Sequence, residues 1–226
     1  MNPIENLLDD HRHIMAVLEA IDWAVMGGVA GQRDLPLFER ALRFIVTFAD
    51  GIHYAKEDRL FAACVSHAVP CAVGPVQCLQ MEHDGTRAQT ARIAAAIESI
   101  RGGDAGQWPH LLDAAARYSA IVRVHIPKEN LGFFPMSDLM LPAPARAALG
   151  AEFEAIDRSA GVSMAEAAAA VRRGAAPPSP PRTTRPVSHV DFYRLEDPRL
   201  EAILRDPAPA PPQAHVVVRR GQRGRG

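Results

Sequence analysis

Apolar residues recur at steps of three and four along most of the chain, and this spacing predicts four helices. The first covers about Pro3 to Val25, and the second opens after Asp34 and runs to about Cys64. The third and fourth cover about 76–101 and 108–136, with glycines in the segments between helices. The pattern therefore predicts an all-α fold.

Polar residues interrupt these apolar stripes. The expected inward positions are Leu7, His11, Ile14, Leu18 and Ile21 in the first helix, Leu42, Val46, Ala49, His53, Glu57 and Leu60 in the second, Leu79, His83, Thr86, Thr90 and Ile93 in the third, and Leu111, Ala114, Tyr118, Ile121, His125 and Glu129 in the fourth. Gly51 costs the second helix about 1 kcal/mol relative to alanine. Pro127 removes a backbone hydrogen bond from the fourth helix and predicts a kink between two of the polar positions.

The inward polar residues belong to an internal repeat with an offset of 72 residues. The segments HYAKEDRLF and HIPKENLGF share a His-x-x-Lys-Glu pattern and a phenylalanine, and a further pair of histidines, each preceded by an acid, has the same offset. The paired positions are Asp10/Glu82, His11/His83, His53/His125, Lys56/Lys128, Glu57/Glu129 and Phe61/Phe133. The repeat predicts two helical hairpins related by a pseudo-twofold axis.

Composition divides the chain into a body and a tail. With 226 residues, nearly half of them apolar, the chain can form one domain with a substantial core. One or two accessory helices are expected over about 143–172. From Arg172 onward, eleven arginines face five acidic residues, and ten of the nineteen prolines lie between Pro177 and Pro212. These features predict a mostly disordered tail.

The N-terminal region has acidic residues where a secretory signal would be basic, and no uncharged apolar run reaches the roughly 18 residues that cross a bilayer. We therefore expect a cytoplasmic protein without a membrane partner. Cys64, Cys71 and Cys78 are odd in number and form no CxxC motif, which argues against a disulfide framework or a thiolate zinc site. The three cysteines are expected to be buried as small apolar side chains rather than to form a redox switch.

Histidines and lysines outside the ligand pattern have simpler expected roles. His13 should point away from the core, since two residues along a helix turn to the opposite side. The surface or loops are expected for His67, His110, His189 and His215. Lys56 and Lys128 are expected to be solvated, with a role beside the repeated site as the alternative. Tyr118 is expected either to pack as an aromatic or to donate a hydrogen bond to a bound oxygen species.

Six inward residues indicate a metal centre. Residues four apart share a helix face, so His53 with Glu57, and His125 with Glu129, can each present an imidazole and a carboxylate to one point. The other two helices add one imidazole each, from His11 and from its repeat partner. Buried unpaired carboxylates cost several kcal/mol, and metal ions remove that cost. Imidazole and carboxylate ligands favour iron, manganese or zinc, with positions left open for solvent, oxygen, peroxide or nitric oxide.

With these motifs, the chain resembles the hemerythrin-like HHE cation-binding family of non-haem di-iron four-helix bundles over about residues 1–137. The resemblance implies that His11, His53, Glu57, His83, His125 and Glu129 bind two oxo- or hydroxo-bridged iron ions, with both glutamates as bridges. One departure from the family pattern, a missing fifth histidine, argues against reversible oxygen carriage. Oxygen-carrying members resemble H…HxxxE…HxxxH…HxxxxD, whereas Arg87 stands four residues after His83 here. The resemblance then points to sensing, repair of iron centres or iron handling, although the repair proteins carry a cysteine-bearing N-terminal region that is not found here.

The resulting prediction is an up-down-up-down four-helix bundle at 1–137, an accessory helical segment at 138–173 and a disordered tail at 174–226. The expected role is binding or sensing of oxygen, nitric oxide or peroxide. The alternatives are a redox enzyme that disproportionates peroxide or reduces nitric oxide, and iron delivery. The tail's arginines are attributed to solubility rather than to nucleic-acid binding. The sequence leaves open the ligand, the metal (manganese or zinc being alternatives), turnover and the oligomeric state.

Overall fold

Helices form nearly all of the computed structural model, which describes residues 2–27, 33–69 and 73–173. The helices are α1 Pro3–Val25, α2 Leu35–Phe44, α3 Tyr54–Ser66, α4 Val73–Arg101, α5 Trp108–Lys128, α6 Phe134–Met140, α7 Ala143–Ser159 and α8 Met164–Arg172. Two π-helical segments, Ile45–His53 and Glu129–Phe133, join α2 to α3 and α5 to α6, and a 3₁₀ turn, Ala105–Gln107, precedes α5. These ranges contain no β-strand.

Four long helical units form the predicted up-down-up-down bundle: α1, the α2–α3 unit, α4 and the α5–α6 unit. Their starts follow local chemistry, because the side chains of Asn2 and Asp34 accept hydrogen bonds from the free backbone N–H groups of the first turns of α1 and α2. The expected accessory helices are a pair. Helix α7 packs on α1 and α3, and α8 packs on α1 and α2. The predicted tail at 174–226 lies outside the described residues.

The apolar core is divided into two clusters that lie on either side of the polar ligand positions. Along α1, Leu7 belongs to one cluster and Ile14 to the other, with His11 between them. Along α4, Leu79 and Ile93 flank the next histidine in the same way. Each of the four units therefore carries its predicted ligands in the middle of the bundle, and apolar side chains fill the bundle on both sides of them.

The π-helical segment before His53 overturns one predicted core position. Val46 was expected on the inward face, but it is 53% exposed. A π turn takes in one more residue than an α turn, so it shifts the helical register, and Ile45 and Phe48 face inward instead. Gly51 fits the same segment, because an added Cβ would lie 3.0 Å from the carbonyl oxygen of Val46.

The fourth unit, α5–α6, also contains a π-helical segment, which lies close to Pro127. This proline is inside α5, and the π-helical segment begins two residues later at Glu129. The kink itself stays a prediction. In the described part of the chain, no helix is both long enough and apolar enough to span a membrane.

Candidate metal centre

The six predicted ligand residues meet in the middle of the bundle, and none is more than 2% exposed. The Nε2 atoms of His11 and His53 are 3.0 Å apart, and those of His83 and His125 are 3.2 Å apart. Two nitrogens that each lie about 2.1 Å from one ion at an angle near 90° would have about this separation. Each histidine pair thus has the spacing of two ligands on one cation.

Both glutamates lie between the histidine pairs. Glu57 Oε1 is 2.9 Å from His53 Nε2, while Glu57 Oε2 is 3.1 Å from His83 Nε2. Glu129 Oε2 lies 3.3 Å from His11 Nε2 and 3.1 Å from His125 Nε2. The side chains accordingly form two groups of four potential ligands that share both glutamates.

The carboxylates of Glu57 and Glu129 show why this cluster fits cations. Their four oxygens are buried, and among the described residues only imidazole nitrogens come close to them, in positions that do not form well-aligned hydrogen bonds. Buried carboxylate oxygens without such partners are costly unless a cation compensates them. Two imidazoles and two shared carboxylates per group are a donor set suited to a transition metal rather than to calcium or magnesium.

The pKa values of the cluster show the same need for positive charge. Burial opposes protonation of His53, but the charge of Glu57, the hydrogen bond to Asp10 and the close contact with the Glu57 carboxylate raise its pKa to about 10. Burial likewise opposes ionisation of Glu57, yet the charge of His53, with the close imidazole nitrogens of His11 and His53, lowers its pKa well below the usual value. Without a cation, protons on the imidazoles balance the carboxylates.

An acid and a lysine stand behind one histidine of each pair. His53 Nδ1 donates to Asp10 Oδ2 at 3.0 Å, and Lys56 Nζ lies 2.5 Å from the same oxygen. Such contacts fix the orientation of a ligating imidazole and raise its basicity. We call His11, His53, Asp10 and Lys56 the first half of the centre.

The second half of the centre consists of His83, His125, Glu82 and Lys128, which follow at the repeat offset. His125 Nδ1 donates to Glu82 Oε2 at 3.0 Å, and Lys128 bonds to Glu82 Oε1. The expectation that Lys56 and Lys128 are solvated was wrong, since their side chains are 0% and 11% exposed. Each lysine faces the carboxylate that holds a histidine.

These two residues are the only lysines in the sequence; all the others among the 25 lysine and arginine residues are arginines. An ammonium group is a compact charge with three rotatable donors, whereas a guanidinium is a larger planar fork. Asp10 and Glu82 are buried and already bind a histidine, so the space beside each of them suits an ammonium group better than a guanidinium. The use of lysine at these two positions alone therefore matches their surroundings.

Aromatic and amide groups complete the surroundings. His11 Nδ1 donates to Asn130 Oδ1 at 2.6 Å. Tyr54 on α3 stacks on His83 with 3.6 Å between ring centroids, and the guanidinium of Arg87, on α4 like His83, lies 5.3 Å from the centre of the Tyr54 ring. The position four residues after His83 thus contributes a cation over a tyrosine rather than a further ligand.

A small cavity adjoins the centre, with room for about one water-sized molecule. Its lining consists of His53, His125, two tyrosines and four apolar residues, namely Tyr54, Tyr118, Ile14, Ala49, Val122 and Ile126. Tyr118 is itself buried. The cavity reaches one histidine of each half.

The remaining predicted residues lie away from the centre. His13 is partly exposed and lies 3.7 Å from Asp9, which confirms the choice of His11 as the inward residue. His67 and His110 are exposed, as expected. Cys64 is buried in the apolar core, and Cys78 is half-buried. The described residues do not include Cys71, His189 or His215.

Several residues of the site were not assigned from sequence. Asp10 and Glu82 carry a usable signal, because each precedes a repeated histidine at the same offset. Asn130 and the stacked Tyr54 have no counterpart of the same type at that offset, since residues 58 and 126 are Asp58 and Ile126. Only the folded arrangement of the helices brings them to the ligands.

Comparisons with known proteins bear on this site directly. Residues 2–137 match the family model of the hemerythrin HHE cation binding domain. No curated protein and no solved structure is matched by the chain. The matched region contains all six predicted ligand positions and both lysines, and it spans more than half of the sequence. The chain belongs to the hemerythrin HHE cation-binding family.

Proposed function

We propose that this protein holds two iron ions in a non-haem centre and binds or senses a small ligand, namely oxygen, nitric oxide or peroxide. The observation that carries the proposal is the position of Glu57, whose two oxygens each face a different histidine pair. A carboxylate in this position can bridge two ions. His11 and His53 would bind one ion, His83 and His125 the other, and Glu129 would be shared.

Iron in such a site would supply open coordination positions and one-electron redox chemistry. The protein's own part is to orient the imidazoles through Asp10 and Glu82, to exclude bulk water and to limit the size of the ligand. The cavity beside His53 and His125 admits only a very small molecule. Its apolar walls suit a diatomic ligand or peroxide better than a larger polar substrate.

Two alternatives differ in what they require of the site. A redox enzyme would use the same cavity, with Tyr118 at its wall as a potential hydrogen-bond donor to bound peroxide or nitric oxide. Iron delivery requires ready release, yet all six ligands are almost fully buried. Burial of the ligands therefore favours a retained centre over a delivery role.

Metal analysis combined with ligand spectroscopy tests the proposal. Two iron ions per chain, and charge-transfer bands that change when azide or peroxide is added, are expected. One zinc per chain, or no stoichiometric metal, would contradict it. Turnover of peroxide or nitric oxide would favour the enzyme, and rapid loss of iron to a chelator without unfolding would favour delivery.

A further inference from the structure

Lys56 is fully buried and has one acceptor for each of its three N–H donors. Its Nζ atom lies 2.5 Å from Asp10 Oδ2, 2.7 Å from Asn6 Oδ1 and 2.8 Å from Asp157 Oδ1. The amide nitrogen of Asn6 donates to the other oxygen of Asp157 at 2.9 Å, which closes the cluster. Three hydrogen bonds use the full donor capacity of an ammonium group.

One of these acceptors comes from outside the family domain. Asp157 lies on the accessory helix α7, twenty residues beyond the matched region that ends at residue 137. Its side chain is 38% exposed, whereas Lys56 is 0% exposed. Helix α7 thus supplies a partly exposed acceptor to a lysine that is buried in the bundle.

The cluster leads to a metal ligand through a single shared oxygen. Lys56 and His53 both bind Asp10 Oδ2, so a change in the hold of Lys56 on that atom changes the acceptor for the His53 N–H. In the second half of the centre, Lys128 and His125 bind different oxygens of Glu82. The coupling is therefore tighter in the first half.

We propose that Asp157 is a positioning residue for the first half of the metal centre, acting through Lys56 and Asp10 on His53. Asp157 takes part of the positive charge of Lys56 and leaves Asp10 a stronger acceptor for the His53 N–H. A stronger hydrogen-bond acceptor at Nδ1 raises the basicity of the imidazole, so His53 Nε2 becomes a better ligand for a cation. The accessory helix accordingly adjusts the first half alone, and the inference rests on the proposed function only in taking that half as a metal site.

The substitution Asp157→Asn removes the charge but keeps the size of the side chain. Lys56 should then draw more strongly on Asp10 and weaken the bond to His53. We expect affinity for Zn²⁺ at the first half to fall about three- to tenfold, less than the roughly 10- to 100-fold loss when a direct partner of a ligand is removed. The second half should keep its affinity.

Ring ¹⁵N NMR of the full chain separates this effect from general loosening. In the metal-free protein, the Nδ1 signal of His53 should shift in Asp157→Asn, whereas that of His125 should not. The matched control is Glu152→Gln, which removes another ion pair between α7 and α3, the 3.7 Å contact with exposed Arg59. That variant should leave both histidines unchanged.

An unchanged His53 signal, or equal shifts of His53 and His125, would overturn the proposal. So would the same shift in Glu152→Gln, because any weakening of α7 docking would then suffice. Outright unfolding of Asp157→Asn would make Asp157 a structural anchor and would also overturn it. The metal-free spectra need no bound iron, so failure of the proposed function, seen as no stoichiometric metal, is distinguishable from failure of this inference.

Discussion

In the first half of the centre, Lys56 and His53 share one oxygen of Asp10, whereas in the second half Lys128 and His125 divide the two oxygens of Glu82. Asp157 of the accessory helix binds Lys56. The acid and the lysine behind each of these histidines are repeated, but the way in which they share contacts is not. Two ions in this centre would therefore occupy different surroundings despite equal ligand sets.

The walls around the halves differ as well. Next to His83, the hydroxyl of Tyr54 donates to Thr86 Oγ1 at 2.9 Å, and Thr86 donates to the His83 carbonyl at 2.8 Å. Thr90 donates to the Thr86 carbonyl at 3.0 Å and also bonds to Asp50, so Tyr54, Thr86, Thr90 and Asp50 form a polar row. The residues 72 positions away in the other repeat are Ile126, Ile14, Leu18 and Val122. The duplicated sequence has kept its six predicted ligand residues and diverged around them.

The largest expected effect follows from removing a group that serves both halves. Glu57→Gln keeps the volume of the side chain but replaces the charged carboxylate between the histidine pairs, so we expect most of the bound metal to be lost from both halves. Elemental analysis per chain measures this. His13→Ala, beside His11 but facing away from the site, is the control. Retention of two ions by Glu57→Gln would show that neither half depends on this carboxylate.

Removal of metal should be the next largest effect, because both halves then balance their carboxylates with protons alone. Chelation should lower the melting temperature by about 10 °C, which corresponds to about 4 kcal/mol for a cation at a thousand times its Kd. An unchanged melting temperature would argue against this site.

The metal effect should also depend on pH. Since the pKa of His53 is raised to about 10 without metal, binding at pH 7 must displace its proton. Affinity should therefore fall as pH falls, by about tenfold per unit for each proton displaced. Proton release in weak buffer, measured as metal is added, checks this.

A pair of substitutions can separate the halves. Asp10→Asn should weaken metal binding in the first half about 10- to 100-fold, and Glu82→Gln should do the same in the second half. Zinc titration followed by NMR of the His53 and His125 rings assigns each loss to its half. Asp9→Asn, on the exposed side of the same helix, serves as the control. Equal losses in both halves from either variant would show that the ions bind as one unit.

The smallest effect concerns Asp50, whose repeat partner is Val122. Burial raises the pKa of Asp50 to about 6, although Thr90, Arg87 and His83 oppose the shift. The folded state therefore loses stability as pH rises from about 4 to 6, where the unfolded acid is already ionised. Asp50→Asn should be more stable than the parent by about 1 kcal/mol at pH 8 and equal to it below pH 4. Metal-free melting curves across this range test the sign.

The sequence predicted most of this architecture because ligation imposes a pattern on it. Six residues at one offset identified the buried cluster of histidines and glutamates, and helical spacing identified the four helices. Val46 was misplaced because a π turn leaves no mark in apolar spacing. Lys56 was misjudged because its burial depends on acceptors from other helices. Asp157 could not be found at all, since it has no repeat partner and meets Lys56 only after α7 docks.

Because lysine occurs only at Lys56 and Lys128, digestion with a lysine-specific protease can probe the centre. A lysine-specific protease has two cleavage points in this sequence, and each lies within a helical unit beside a ligand histidine. Cleavage requires that the bundle open there, while fraying at the ends of the chain leaves both points protected. The rate of digestion would therefore report the opening of the metal centre itself, separately from the rest of the molecule.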